Sequence, residues 1–374
     1  MAQKLTAGAV FTPTIEDQET SGVTQELWQA LEMPSGAPPT PPSETSLQDD
    51  LQRVSTETDF SGVAIVERNG ERLAEIVAGY ADRANQRPNR IDTQFATASA
   101  TKGFTALTVA SLIESGALTL DTPLAELTGD ALPLADSAVT IEQLLSHTSG
   151  VGDYIDEDAG GDIDDYVLGA SAHTFTGPSD YLPLLNRHPQ VSAPGETFRY
   201  NNSGYMMLAL AIERASGENY HSQVQSRVLE PAGLAATEFL RSDELPANCA
   251  LGYLQNGRTN IFNLPVIGTG DGGAYTTAAD FSQFWHALFE GRIVSRSMAE
   301  QMTTPRQTTK GEATPYGLGF WLANESIVSL VGMDAGVSFH SGRRRADGLT
   351  YTILSNTSSG VWPLVSVLDD SLVS

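Results

Sequence analysis

Apolar and polar positions along the chain follow two rhythms, and the first clear one begins near residue 45. Leu47, Leu51 and Val54 share one face at helical spacing, so Thr45–Glu57 reads as an amphipathic helix. Phe60–Arg68 and Arg72–Gly79 are rich in β-formers and flank Asn69-Gly70, a pair suited to a type I′ hairpin. From Thr101 to Ser115, Phe104, Leu107, Val109, Ala110, Leu112 and Ile113 leave little polar face. That pattern predicts a helix buried nearly all round, capped by Gly116. Ile141–Leu145 and Tyr205–Ala215 are further helical runs within a Gly-, Pro- and Asp-rich stretch over 117–260. Asp153–Asp165 reads as a solvated acidic loop, with calcium binding as the alternative.

The rhythm changes again after about residue 260. Gly268–Gly273 reads as a tight turn, and Thr277-Ala-Ala-Asp280 as a capping box opening a helix through Leu288. Strand-like runs follow at Tyr316–Leu322, Ser326–Val331, Gly336–His340 and Thr350–Ser355, then a helical run at Trp362–Leu372. Strands at both ends with helices between them imply an α/β (α+β) chain. Its composite α/β domain takes residues 46–98 and 260–374, and an inserted, mainly helical domain takes 99–259. Residues 1–45 read as an N-terminal extension, whose Gly36–Pro42 segment is extended or polyproline-like because proline fixes φ.

Composition narrows the classes. The 374 residues are 40% hydrophobic and only 18% charged, enough for a substantial core and unlike a disordered chain. The formal charge of −25 argues against nucleic acid and against docking to an anionic membrane. No stretch approaches the roughly 20 apolar residues of a membrane span. Met1–Thr12 carries one basic residue and no long apolar core, so it does not read as a signal peptide and the expectation is cytoplasmic. The lone Cys249 excludes an internal disulfide and a multi-cysteine metal site. Lysine occurs only at positions 4, 102 and 310; scarce lysine with excess acid suggests a salty habitat.

One of those lysines carries the sharpest chemistry. In Ser99-Ala-Thr-Lys102 the two end residues are three apart, which puts a hydroxyl and an amine on one helix face. A serine hydroxyl needs a base to become a nucleophile. A lysine buried at the mouth of an apolar helix loses part of the stabilisation of its charged form, so its pKa falls toward a useful range. Tyr200-Asn201-Asn202 is the second constellation. A phenol whose pKa is lowered beside a lysine cation could relay a proton to a leaving group, and Asn202 could bond both Lys102 and substrate.

These pieces fall in an order that resembles a known family. Phe95-Ala-Thr-Ala-Ser99-Ala-Thr-Lys102, Leu144-Leu-Ser-His-Thr-Ser-Gly150, Pro194-Gly195 with Tyr200-Asn201-Asn202, Gly272-Gly-Ala-Tyr-Thr-Thr277 and Tyr316-Gly-Leu-Gly-Phe320 resemble successive landmarks of the class C β-lactamase-related serine hydrolases. That superfamily includes penicillin-binding DD-peptidases, class VIII esterases and D-amino-acid peptidases or amidases. The resemblance implies an antiparallel sheet flanked by helices beside an all-helical domain, with the active site between them. It implies Ser99 as nucleophile, Lys102 as general base and Tyr200 as the second proton-transfer residue, with neither cofactor nor metal. The implied partner is a small ester, amide or peptide, and the oligomeric state stays open.

One landmark departs from the pattern. The family's third motif carries a Lys or His that helps hold a substrate carboxylate, whereas Ser329–Gly336 contains neither. The departure favours neutral esters, amides or peptides, with a carboxylesterase first. A β-lactamase, a D-specific peptidase or amidase, or a non-catalytic binding protein on the same scaffold are the alternatives. A backbone N–H near Gly332 or Met333 would join that of Ser99 as an oxyanion hole. His147 reads as a structural hydrogen-bonder, and Arg343–Arg345 as a loop between strands. The histidines show no His-Glu-x-x-His pairing, and no Gly-x-Ser-x-Gly occurs.

Overall fold

Asn69 and Gly70 both hold positive φ, 50° and 87°, as a type I′ turn demands. They join β1 (Gly62–Arg68) to β2 (Glu71–Ala78), the hairpin expected from the sequence. The remaining strands of the main sheet come from the far end of the chain: β3 (Trp321–Ala323), β4 (Ile327–Asp334), β5 (Val337–Arg344) and β6 (Leu349–Ser355). All neighbours are antiparallel, in the order β2-β1-β6-β5-β4-β3. The computed structural model describes residues 46–155, 157, 160–306, 315–323 and 327–373, so the extension expected over 1–45 lies outside the described residues.

The longest helices are α1 (Leu47–Glu57), α2 (Lys102–Glu114), α3 (Asn202–Ser216), α4 (Ala278–Glu290) and α5 (Trp362–Val373). Both faces of the sheet are covered. On one, Leu51 of α1 and Leu364 and Leu368 of α5 pack with Ala64, Val66, Ile76 and Ile353. On the other, Val63, Ile65, Phe339 and Leu354 meet Phe281, Phe284 and Trp285 of α4, in a cluster that continues to Phe104 and Leu107 of α2. Each large side chain so buried stabilises the fold by about 1.5–3 kcal/mol. Two-sided cover explains why β6 is buried at every residue and why its sequence shows no clean alternation.

Helix α2 is buried from Lys102 through Ala110, as its unbroken apolar pattern predicts, and α3 packs beside it. Gly103 lets α2 sit against β4, because a Cβ there would lie 2.5 Å from a Leu330 methyl. The Ile141–Leu145 helix forms as expected behind a Thr140 cap. Three expectations need correction. Tyr316–Leu322 is not one strand: Gly317 N–H donates to the Phe320 carbonyl and Gly319 takes φ 91°, so a tight turn precedes Trp321. Strands β4 and β5 extend further than expected, meeting at a two-residue turn, Ala335-Gly336, with Gly336 at φ 70°. Thr277 does cap α4, but Asp280 does not complete a capping box; its carboxylate accepts from Ala236 N–H and the Thr237 hydroxyl instead. Among the described residues no helix is long and apolar enough to cross a membrane.

Candidate active site

Ser99 does not lie on the α-helix itself. It sits in a 3-10 turn, Ala98–Thr101, that runs into α2, whose first residue is Lys102. The correction helps the pair, because residues three apart eclipse one another in 3-10 geometry. Ala98 enters the turn at φ 45°, a left-handed conformation that costs on the order of 1–3 kcal/mol in a non-glycine residue. Two threonines hold it there. Thr97 N–H and hydroxyl both donate to the Ala274 carbonyl, at 2.8 and 3.0 Å. Thr101 hydroxyl donates to the Ala98 carbonyl at 2.9 Å and accepts from Ala274 N–H at 3.0 Å.

Lys102 is the only lysine among the described residues and is 1% exposed. Its Nζ lies 2.9 Å from Ser99 Oγ, 2.7 Å from Asn202 Oδ1 and 2.7 Å from the Asp271 carbonyl. Those three partners use the full donor capacity of an ammonium. Burial pulls its pKa below the ordinary lysine value, opposed by the nearby carboxylates of Asp271, Glu157, Asp153 and Asp334. Tyr200 is hydrogen-bonded to Ser99, and its ring lies 5.0 Å from Lys102 Nζ and stacks on Trp321 at 5.9 Å. The expected lowering of its pKa is overturned. Burial raises the phenol well above its usual range, and Glu157 adds to the effect. The phenol is therefore held in its neutral form.

Asn201 caps α3, its Oδ1 accepting from Gly204 N–H, which fixes the direction in which Tyr200 and Asn202 leave the helix end. His147 Nδ1 accepts from Asn201 N–H at 3.0 Å, and its carbonyl accepts from Arg199 N–H at 2.8 Å. It braces this segment rather than touching Ser99. Asn202 makes the expected bond to Lys102, and its amide N–H donates to Glu157 at 3.0 Å. Gly332 is pressed against the Ser99 turn: a Cβ there would fall 2.1 Å from the Thr97 carbonyl and 3.0 Å from Ser99 N. Only glycine allows that approach. Gly332 and Met333 line the same pocket as Ser99, Tyr200 and Asn202.

With this geometry in place, the likeness to known proteins is specific. Residues 47–366 match the family described as Beta-lactamase. The chain belongs to the Beta-lactamase family. A penicillin-binding protein from Bacillus halodurans is 34% identical, with a TM-score of 0.80 over 85% of this chain and 99% of that one. The penicillin-binding protein PbpX of Bacillus subtilis is 30% identical over 71% of this chain and 63% of its own length, so the chain spans less than two thirds of that relative. Esterase EstB of Burkholderia gladioli is 36% identical over 51% of this chain and 49% of its own length.

Within this Beta-lactamase family frame, sequence reasoning missed four carboxylates. The Asp153–Asp165 segment is no solvated loop throughout. Asp153 is half-buried, accepts from Asn202 and Ser203 N–H at 2.7 and 2.9 Å, and is pushed up to about 7, chiefly by desolvation. Glu157 holds Asn202, and Tyr154 donates to the Asp271 carboxylate. Asp271 itself came from a segment read only as a tight turn, yet its carbonyl orients Lys102. Asp334 closes β4 inside the pocket, where burial and neighbouring Asp271 push it up to about 7. Arg343–Arg345 is not the loop expected, since Arg343 and Arg344 end β5 and pair with the neighbouring strands; none of the three lines the pocket, Arg344 pairing with Asp347 and Arg345 donating to the Thr303 carbonyl. Among the described residues no three His, Cys, Asp or Glu side chains converge as a metal site.

Proposed function

We propose that this chain is a serine hydrolase that forms an acyl-enzyme on Ser99 and acts on small esters, amides or peptides, a carboxylesterase before the others. The observation that carries the reading is a buried amine 2.9 Å from a serine oxygen, with a tyrosine hydroxyl on the same oxygen. In its neutral form Lys102 takes the Ser99 proton as Oγ attacks the substrate carbonyl, forming the Oγ–C bond. The oxyanion rests on the N–H groups of Ser99 and Met333, each such donor being worth on the order of 10²–10³ in rate. Tyr200 passes its proton to the leaving alcohol or amine as the C–O or C–N bond breaks, and the phenol is restored from Lys102. Water then attacks the acyl-enzyme with the same groups acting in reverse.

A named esterase among the relatives, together with Asp334 on the strand of the third motif, supports the ester preference. A carboxylate there repels the carboxylate a β-lactam carries, so β-lactamase activity is disfavoured. The test is labelling with a fluorophosphonate and a pre-steady-state burst with p-nitrophenyl butyrate. Wild type should label once and burst stoichiometrically, and Ser99→Ala should do neither. Labelling that survives Ser99→Ala, or none in wild type, overturns the assignment. Side-by-side rates on the ester, nitrocefin and D-amino-acid amides should rank the ester first.

A further inference from the structure

Lys102 Nζ is surrounded by acceptors, and one of them depends on which way an amide is turned. Ser99 Oγ and the Asp271 carbonyl take two of its donors, and Asn202 Oδ1 takes the third at 2.7 Å. An amide has an oxygen that accepts and a nitrogen that donates, in nearly the same shape. Turned the other way, the Asn202 side chain would set a donor against an ammonium.

The far end of that amide shows what holds it. Asn202 Nδ2 donates to Glu157 Oε1 at 3.0 Å and to the Ile155 carbonyl at 3.5 Å. Asp153 takes the backbone N–H groups of Asn202 and Ser203, so one short segment, 153–157, addresses Asn202 three times. Glu157 is the member of the three that meets the side-chain amide with a charge. A line of hydrogen bonds thus runs from a carboxylate through Asn202 and Lys102 to Ser99 Oγ.

We propose, resting on the acyl-transfer reading of Ser99, that Glu157 is a positioning residue: it acts through the Asn202 amide to keep an acceptor on Lys102, and its charge favours the ammonium over the amine. Burial lowers the Lys102 pKa, and Asp271, Glu157, Asp153 and Asp334 oppose it in that order. His147, Tyr200 and Tyr205 also face Lys102, each held neutral by burial. An amine accepts the Ser99 proton only when unprotonated, so acylation rises with pH as Lys102 loses its proton. Without the Glu157 charge that proton leaves more readily, and the rising limb moves to lower pH.

Stopped-flow acylation of the full chain by p-nitrophenyl butyrate, from about pH 5 to about pH 9, separates the two effects. Glu157→Gln keeps an oxygen for the Asn202 amide and removes the charge. Its rising limb should lie at lower pH than that of wild type, with a plateau within about threefold. Glu157→Ala removes the acceptor as well, so its plateau should also fall, by on the order of 10- to 100-fold. Asn202→Ala added to Glu157→Ala should cost little more, because both changes act on one bond to Lys102. Glu57→Gln removes a charge from the exposed end of α1 and should leave limb and plateau in place. A limb that Glu157→Gln does not move overturns the proposal, as does a Glu157→Ala plateau equal to that of Glu157→Gln. A wild type that neither bursts nor takes a fluorophosphonate label removes the acyl-transfer reading itself. A wild type that labels, with limbs that coincide, leaves that reading standing and removes Glu157 alone.

Discussion

Two walls of one pocket are built on opposite principles. Around Ser99 the hydrogen bonds close mainly among neutral groups: Thr97, Thr101 and Ala274 clamp the turn, and Lys102 and Tyr200 are the ionisable groups bonded to Ser99. Elsewhere in the pocket stand Glu157, Asp271 and Asp334, with Asp153 bonded to the start of α3, and burial holds Asp153, Asp271 and Asp334 above their usual pKa. The neutral wall is fully bonded and therefore rigid, as a site of chemistry needs to be. The acidic wall meets it at Asn202, which bonds both Glu157 and Lys102, and suits positioning more than bond-making.

The sharpest way to break the neutral wall is to remove the proposed base, Lys102. Lys102→Met should lower the acylation rate on a neutral ester by on the order of 10²–10⁴, read by stopped-flow release of p-nitrophenol. Tyr200→Phe should cost less in acylation and more as the leaving group becomes poorer, so ester and anilide rates should diverge. Thr101→Val deletes a donor to Ala98 and an acceptor for Ala274, leaving a buried N–H unmatched. It should destabilise the chain by about 1–3 kcal/mol in urea unfolding.

The acidic wall answers to pH. A carboxyl at 3.8 when exposed and about 7 in the folded chain binds more protons folded than unfolded between those values. Stability should therefore fall as pH rises from about 4 to about 7, the reverse of a salt-bridged aspartate. Asp334→Asn should flatten part of that fall in thermal melts across the range. The groups facing Asp334 are Asp271, Glu157 and Lys102; the remainder of the slope belongs to Asp271 and Asp153, both raised chiefly by burial.

Much of the neutral wall was legible in the sequence and little of the acidic one. Ser99 and Lys102 announce themselves by spacing beside an apolar helix, and Asn69-Gly70 fixes its hairpin through backbone conformation alone. Both are local signals. Asp153, Glu157 and Asp271 sit in loops rich in Gly and Asp, where carboxylates ordinarily face water. Only the arrival of α3 and β4 from elsewhere in the chain buries them. Tyr200 shows the same limit in its chemistry. A neighbouring lysine suggests a lowered phenol pKa, and burial, which no local pattern records, wins in the other direction.

The position of β1 sets the order in which the molecule can assemble. It is a central strand between β2 and β6, and its pairing partner across Gly62 is Ser355. During synthesis the β1–β2 hairpin must wait with one ladder of N–H and C=O groups open until almost the whole chain has emerged. Contacts of such long sequence separation fold slowly. A nascent or truncated chain lacking β6 exposes a sticky strand edge, and aggregation there competes with completion of the sheet.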